Sequence, residues 1–167
     1  MRTKMQIALN VMREAIQTGM DKDLRSNSGM SGGNAYRLKA SIDSGRIEDN
    51  LYSRAAVYAL ATTETNACMG KIVAAPTAGA SGVLPAVLIA VAELYGIDDE
   101  KIIDALYLAG DIGMKIAKSA SLSGAQGGCQ AECGSAAAMA AAGMVYLLDG
   151  TNEESENAAA LALKRQE

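Results

Sequence analysis

Histidine is missing altogether from these 167 residues, and tryptophan and phenylalanine are missing with it. Without an imidazole, Ser-His-Asp and Cys-His nucleophilic schemes are excluded, and so are most zinc sites. Without the bulkier aromatics, and with 17 glycines and 9 methionines, a core must be built from small or pliable side chains that let backbones approach closely. That favours packed helices over a β-sandwich, which leans on β-branched and aromatic residues. A broad basic face is lacking too: the net charge is -4 and only short mixed clusters such as Lys22-Asp23-Leu24-Arg25 occur. No nucleic-acid partner is expected from such a balance. The longest strongly apolar run, Val83 to Ala92, falls far short of the roughly 20 residues that cross a bilayer. The opening MRTKMQIALNVMREAIQ carries charges throughout, which is not the pattern of a secretory signal. A cytoplasmic protein without a membrane segment is the expectation. Cys68, Cys129 and Cys133 make an odd number without a repeating framework, which in a reducing compartment points to free thiols, a metal ligand, or both.

What is present reads as helix. Met5, Leu9, Met12 and Ile16 share one face of a first helix that Gly19 can end. From Leu24 to Arg37 the composition turns to Ser, Asn and Gly, and the stretch reads as a loop. Asp49 or Asn50 can cap a second helix with Leu51, Ala55, Tyr58 and Thr62 on one face. In the connector KIVAAPTAGASG, Ile72-Val73 suits a short extended piece, Gly79 and Gly82 permit tight turns, and Ser81 can cap a helix from Gly82 to Leu94. Asp98 starts a further helix to about Lys118, with Asp99 and Glu100 in its first turn. The loop SLSGAQGG then precedes a helix from about Cys129 to Leu148, apolar nearly all round and therefore expected at the centre. Thr151 and Glu154 form a capping box for a last helix. The sum is an all-α fold: one compact domain over residues 1–167, of about six helices, with glycine-rich loops at helix N-termini and a central Ala/Gly-rich helix.

Three glycine-rich polar segments, SGMSGG, APTAGASG and SGAQGGCQAECGS, break the helical pattern. Each sets backbone N–H groups and small hydroxyls near a helix start, the recipe for holding an anion such as a carboxylate, though a capped turn would look the same. Cys129 sits where a helix begins, a place that favours a metal-binding thiolate, and Cys133 follows one turn later on the same face; either could instead be a small buried hydrophobe. Glu132, among Ala and Gly, must find a partner or lose its charge, unless it is a solvated helix-end carboxylate. Lys71, in MGKIVA, lacks the spacing of a phosphate loop, and nothing marks it above other lysines as a Schiff-base former for pyridoxal phosphate.

The blocks SGMSGGNA, TNACMGKIVAAPTAGASGVLPAVL and SASLSGAQGGCQAECGSAAAMAAAGM resemble, in order and spacing, those of the iron-sulfur-dependent L-serine dehydratase alpha subunit, over about Ser26 to Lys164. The resemblance implies conversion of L-serine to pyruvate and ammonia with a [4Fe-4S] cluster as Lewis acid. It implies Cys129 as a cluster ligand, and Thr77, Gly79, Ser81, Gly82, Ser31, Gly32 and Gly33 as substrate-binding positions. Ser31, Asn66 and Glu132 are the catalytic candidates, with the base left open. It also implies a beta subunit as a possible partner and a homo- or hetero-oligomer. Cys133 stands where relatives often carry valine, and neither it nor Cys68 is assigned as a ligand. The family's other cluster cysteines lie in a segment resembling C-D-P-x-x-G-x-x-x-x-P-C, which is not found here, so the cluster set is expected to be incomplete and the domain cut short at both ends. A noncatalytic helical fragment that binds a small carboxylate or self-associates is the alternative.

Overall fold

The computed structural model describes residues 2–164, and these form seven α-helices: α1 (Arg2–Gly19), α2 (Asn34–Asp43), α3 (Leu51–Ala67), α4 (Val83–Tyr95), α5 (Asp99–Ser119), α6 (Gly124–Leu147) and α7 (Asn152–Lys164). The fold is all-α. Helix starts are mostly written locally. The Asn50 side chain accepts from the Ser53 N–H while the Ser53 hydroxyl faces the Asn50 N–H, which closes a capping box on α3. Asp98 accepts from the Lys101 N–H on α5, and Thr151 and Glu154 cap one another's backbone on α7.

Packing falls into two groups that share α4, with α1 also reaching α5 through Arg2 and Arg13. α3 holds α1, α2 and α4, while α6 holds α4, α5 and α7. α4 belongs to both and is buried along nearly its whole length, from Leu84 to Ala92. The second half of α6 is the Ala/Gly-rich surface against which its neighbours lie, with Ala136, Ala140 and Ala142 at most 2% exposed. Close backbone approach is the currency of this core. A Cβ on Gly19 would overlap the Ala61 carbonyl of α3, so α1 and α3 cross at that glycine, and the Thr65 hydroxyl donates to the Ala15 carbonyl one turn away at 2.7 Å.

Three expectations are corrected. The stretch from Leu24 to Arg37, expected as loop, turns helical at Asn34, where α2 begins; α2 buries one residue, Ala35, and so shows no apolar periodicity. Its N-terminus follows Gly33 in the left-handed region with no side-chain cap from its own segment. Ser81 does not cap α4; Gly82 holds that position in helical backbone, and the Ser81 hydroxyl is buried without a partner. The SLSGAQGG segment is only partly loop: Ser123 caps a helical turn from Gly124, which meets the rest of α6 at a kink on Gly128, φ 75 and ψ 177.

Candidate functional site

The turn before α4 and the first turns of α6 face each other across an open cleft of about 660 Å³ whose walls include Thr77, Gly79, Ser123, Gly124, Cys129 and Glu132. Two of the three glycine-rich segments meet here. The Glu132 carboxylate, half-buried, finds its partner across the cleft: the Thr77 hydroxyl donates to its Oε2 at 2.6 Å. Glycine makes room for that pair. A Cβ on Gly79 would lie 2.9 Å from Glu132 Oε1, and one on Gly124 would lie 3.1 Å from the carboxyl carbon. These two glycines serve close approach rather than unusual backbone angles, since neither has a positive φ.

The turn itself is built to present donors. The Thr77 hydroxyl accepts from the Ala80 N–H, the Ser81 N–H bonds the Ala78 carbonyl, and the Asn66 amide reaches from the end of α3 to the same carbonyl at 3.2 Å. The N–H groups of Thr77, Ala78 and Gly79 find no acceptor among the described residues. All three belong to residues that line the cleft, a few positions ahead of α4.

Cys129, exposed, lies on the cleft wall just past the Gly128 kink. Cys133 is one turn deeper. Burial pushes its thiol above the ordinary value, and the charges on Glu132 and Cys129 push it further in the same direction. The sequence candidates thus divide. Thr77, Gly79, Cys129 and Glu132 come together, and Asn66 braces the turn from behind. Ser81 and Gly82 are buried beneath it, where a Cβ on Gly82 would press on the Ala59 carbonyl at 2.8 Å. Ser31, Gly32 and Gly33 lie in their own loop: Ser31 and Ser26 exchange hydrogen bonds, and a Cβ on Gly32 would overlap the Leu24 carbonyl. No lysine lines the cleft, which leaves the Schiff-base reading of Lys71 without support.

A [4Fe-4S] cluster draws on about four ligands, cysteine thiolates above all. Among the described residues no three His, Cys, Asp or Glu side chains gather as a metal-binding group. The described residues therefore offer the cleft one exposed thiol and do not by themselves fit a whole cluster. Depressions of about 510 Å³ between α5 and α7 and about 570 Å³ between α1 and α2 bring no thiol to their walls. No helix among the described residues is long and apolar enough to cross a membrane.

Sequence reasoning passed over Glu64. It is 4% exposed and takes three hydrogen bonds from the start of α2. A signal was present: Val57, Ala61, Glu64 and Thr65 are all buried, and their spacing puts the carboxylate on the inward stripe of α3.

Residues 1–166 match the serine dehydratase alpha chain family. The chain is 46% identical over 157 residues to a probable L-serine dehydratase alpha chain of Bacillus subtilis, covering 93% of this chain and 52% of that protein. It is 41% identical over 163 residues to the L-serine dehydratase alpha chain of Peptoniphilus asaccharolyticus, covering 97% and 56%. With an L-serine dehydratase of Streptomyces coelicolor it shares 36% over 161 residues, covering 92% and 34%. The chain thus spans about half the length of the alpha chains it matches.

Proposed function

This chain belongs to the serine dehydratase alpha chain family, and we propose that its cleft is the part of an L-serine dehydratase that binds the amino acid and takes its α-proton. The reaction is a β-elimination: the α-proton leaves to a base, the β-hydroxyl departs as water, and the resulting aminoacrylate hydrolyses to pyruvate and ammonia. The observation that carries the reading is the Thr77–Glu132 pair in a cleft that also holds free N–H donors and a thiol.

The substrate carboxylate sits against the N–H groups of Thr77, Ala78 and Gly79, where backbone dipoles balance its charge. Glu132 is the base. Its Oε2 is held by the Thr77 hydroxyl, which leaves Oε1 to receive the proton. Ser31, Gly32 and Gly33, in a loop of their own, are not given a contact with the bound amino acid, and Asn66 keeps the turn in place through Ala78. Ser81 and Gly82 support the turn from below without meeting substrate. Cys129 is the thiol this chain directs toward the family's [4Fe-4S] cluster; since the described residues do not complete the ligand set, no step is assigned to that group. The alpha-chain names of the relatives support a beta-type chain as partner, and three free cysteines support a reducing, cytoplasmic setting.

The test pairs binding with turnover. L-Serine is titrated into the chain and followed by NMR, and pyruvate is then assayed after anaerobic treatment with iron and sulfide. Glu132→Gln should keep binding and lower turnover on the order of 100-fold, while Thr77→Val should lower it about tenfold. Turnover unchanged in Glu132→Gln would remove Glu132 as base. Binding without pyruvate in the unaltered chain would support the alternative, a carboxylate-binding helical unit, which the incomplete ligand set favours.

A further inference from the structure

Glu64 is a buried carboxylate whose partners are N–H groups rather than a cation. Its Oε1 accepts from the Asn34 N–H at 2.9 Å and the Asn34 side-chain amide at 2.6 Å, and its Oε2 accepts from the Ala35 N–H at 3.2 Å. Those donors are the first turn of α2, which has no cap of its own and follows directly on Gly32 and Gly33. A helix N-terminus carries partial positive charge, so the carboxylate of α3 completes α2 from 30 residues away.

Two residues further along α3, Asn66 reaches the Ala78 carbonyl. Positions two apart on a helix point to different sides. The last turns of α3 therefore carry one glycine-rich loop on each side: residues 31–33 through Glu64, and the 77–80 turn of the cleft through Asn66. We infer that Glu64 is a positioning residue: by holding the start of α2 against the last turns of α3 it steadies the helix end from which Asn66 braces the substrate turn. This rests on the reading of the cleft as an L-serine site. It accounts for a charged group held in the interior at a point where Gln, Asn or Ser could cap a helix more cheaply.

The experiment compares amide hydrogen exchange and L-serine affinity in the unaltered chain, Glu64→Gln and Asn34→Ala. Gln keeps the volume but turns an amide toward a donor; Asn34→Ala removes one exposed donor and leaves the core untouched. The expected result for Glu64→Gln is about tenfold faster exchange at Asn34 and Ala35, faster exchange also at Ala80 and Ser81 in the cleft turn, and L-serine binding weakened about tenfold. Exchange along α5 stays unchanged. Asn34→Ala moves the same quantities the same way by a smaller factor at an unaltered melting midpoint. Faster exchange confined to residues 34 and 35, with serine affinity unchanged in both variants, makes Glu64 a helix cap alone and overturns the inference. If the unaltered chain binds no L-serine, the dehydratase reading fails, while the spread of exchange from Glu64 to Ala80 and Ser81 still upholds or sinks the positioning role.

Discussion

Single atoms decide the cleft. Gly79 is exposed and has ordinary backbone angles, so Gly79→Ala should leave the melting midpoint within a degree or so, yet its methyl would press on Glu132 Oε1 at 2.9 Å. On the proposed reading, L-serine affinity should fall while stability holds, which titration and thermal melting on one sample will show; an unchanged affinity would mean that the carboxylate swings aside freely. The two thiols near it differ in reach. Cys129 is exposed, whereas Cys133 is half-buried and held toward its neutral form by burial and by Glu132. Iodoacetamide should therefore modify Cys129 first, and Glu132→Gln should hasten the modification of Cys133, as peptide mass mapping over time will record. Sequence marked Thr77, Cys129 and Glu132 one by one, but Thr77 and Glu132 are 55 residues apart. Their meeting depends on how α4 and α6 pack, and no local pattern carries that.

At the scale of elements, the crossing of α1 and α3 is the least forgiving contact. Gly19→Ala would drive a methyl into the Ala61 backbone, and backbone cannot rotate away as a side chain does. The cost should be about 3 kcal/mol, which for a chain of this size lowers the melting midpoint by roughly 6–12 °C. Thr151→Ala, which removes one half of the α7 capping box, should cost about 1 kcal/mol, and a difference of about 2 kcal/mol between the two variants by calorimetry checks both. Helices with a cap and an apolar stripe, such as α3 and α5, could be read from sequence closely, and α7 was legible from its capping box. α2 could not, because its stripe is a single alanine and its cap is Glu64 on another helix. α6 began early for a related reason: Gly124 to Gly127 looks like loop, but Ser123 supplies a cap that turns it helical.

For the molecule as a whole, absent histidine shapes the response to pH. Arg13 holds the Asp99 carboxyl below its ordinary value of 3.8, and the Thr151 backbone holds Glu154 below 4.5. A carboxyl so lowered adds stability above its ordinary value, and that stability is lost as pH falls through the folded value. Cys133 runs the other way. Its folded value lies above the ordinary 9.0, so its contribution is full below 9.0 and is lost as pH rises beyond it. With no imidazole to titrate between, the melting midpoint should stay flat from about pH 6 to 8 and fall at both ends, and a slope across that window would point to a titrating group not accounted for. The kink in α6 bears on the molecule in another way. Every helix here winds to the right because L-residues favour that hand. At Gly128 the angles are near the mirror image of extended polyproline backbone, and a Cβ there would meet nothing within 4 Å. Handedness alone, and not want of space, tells against a side chain at this position: the methyl of an L-alanine at Gly128 would have room, while its backbone would be strained.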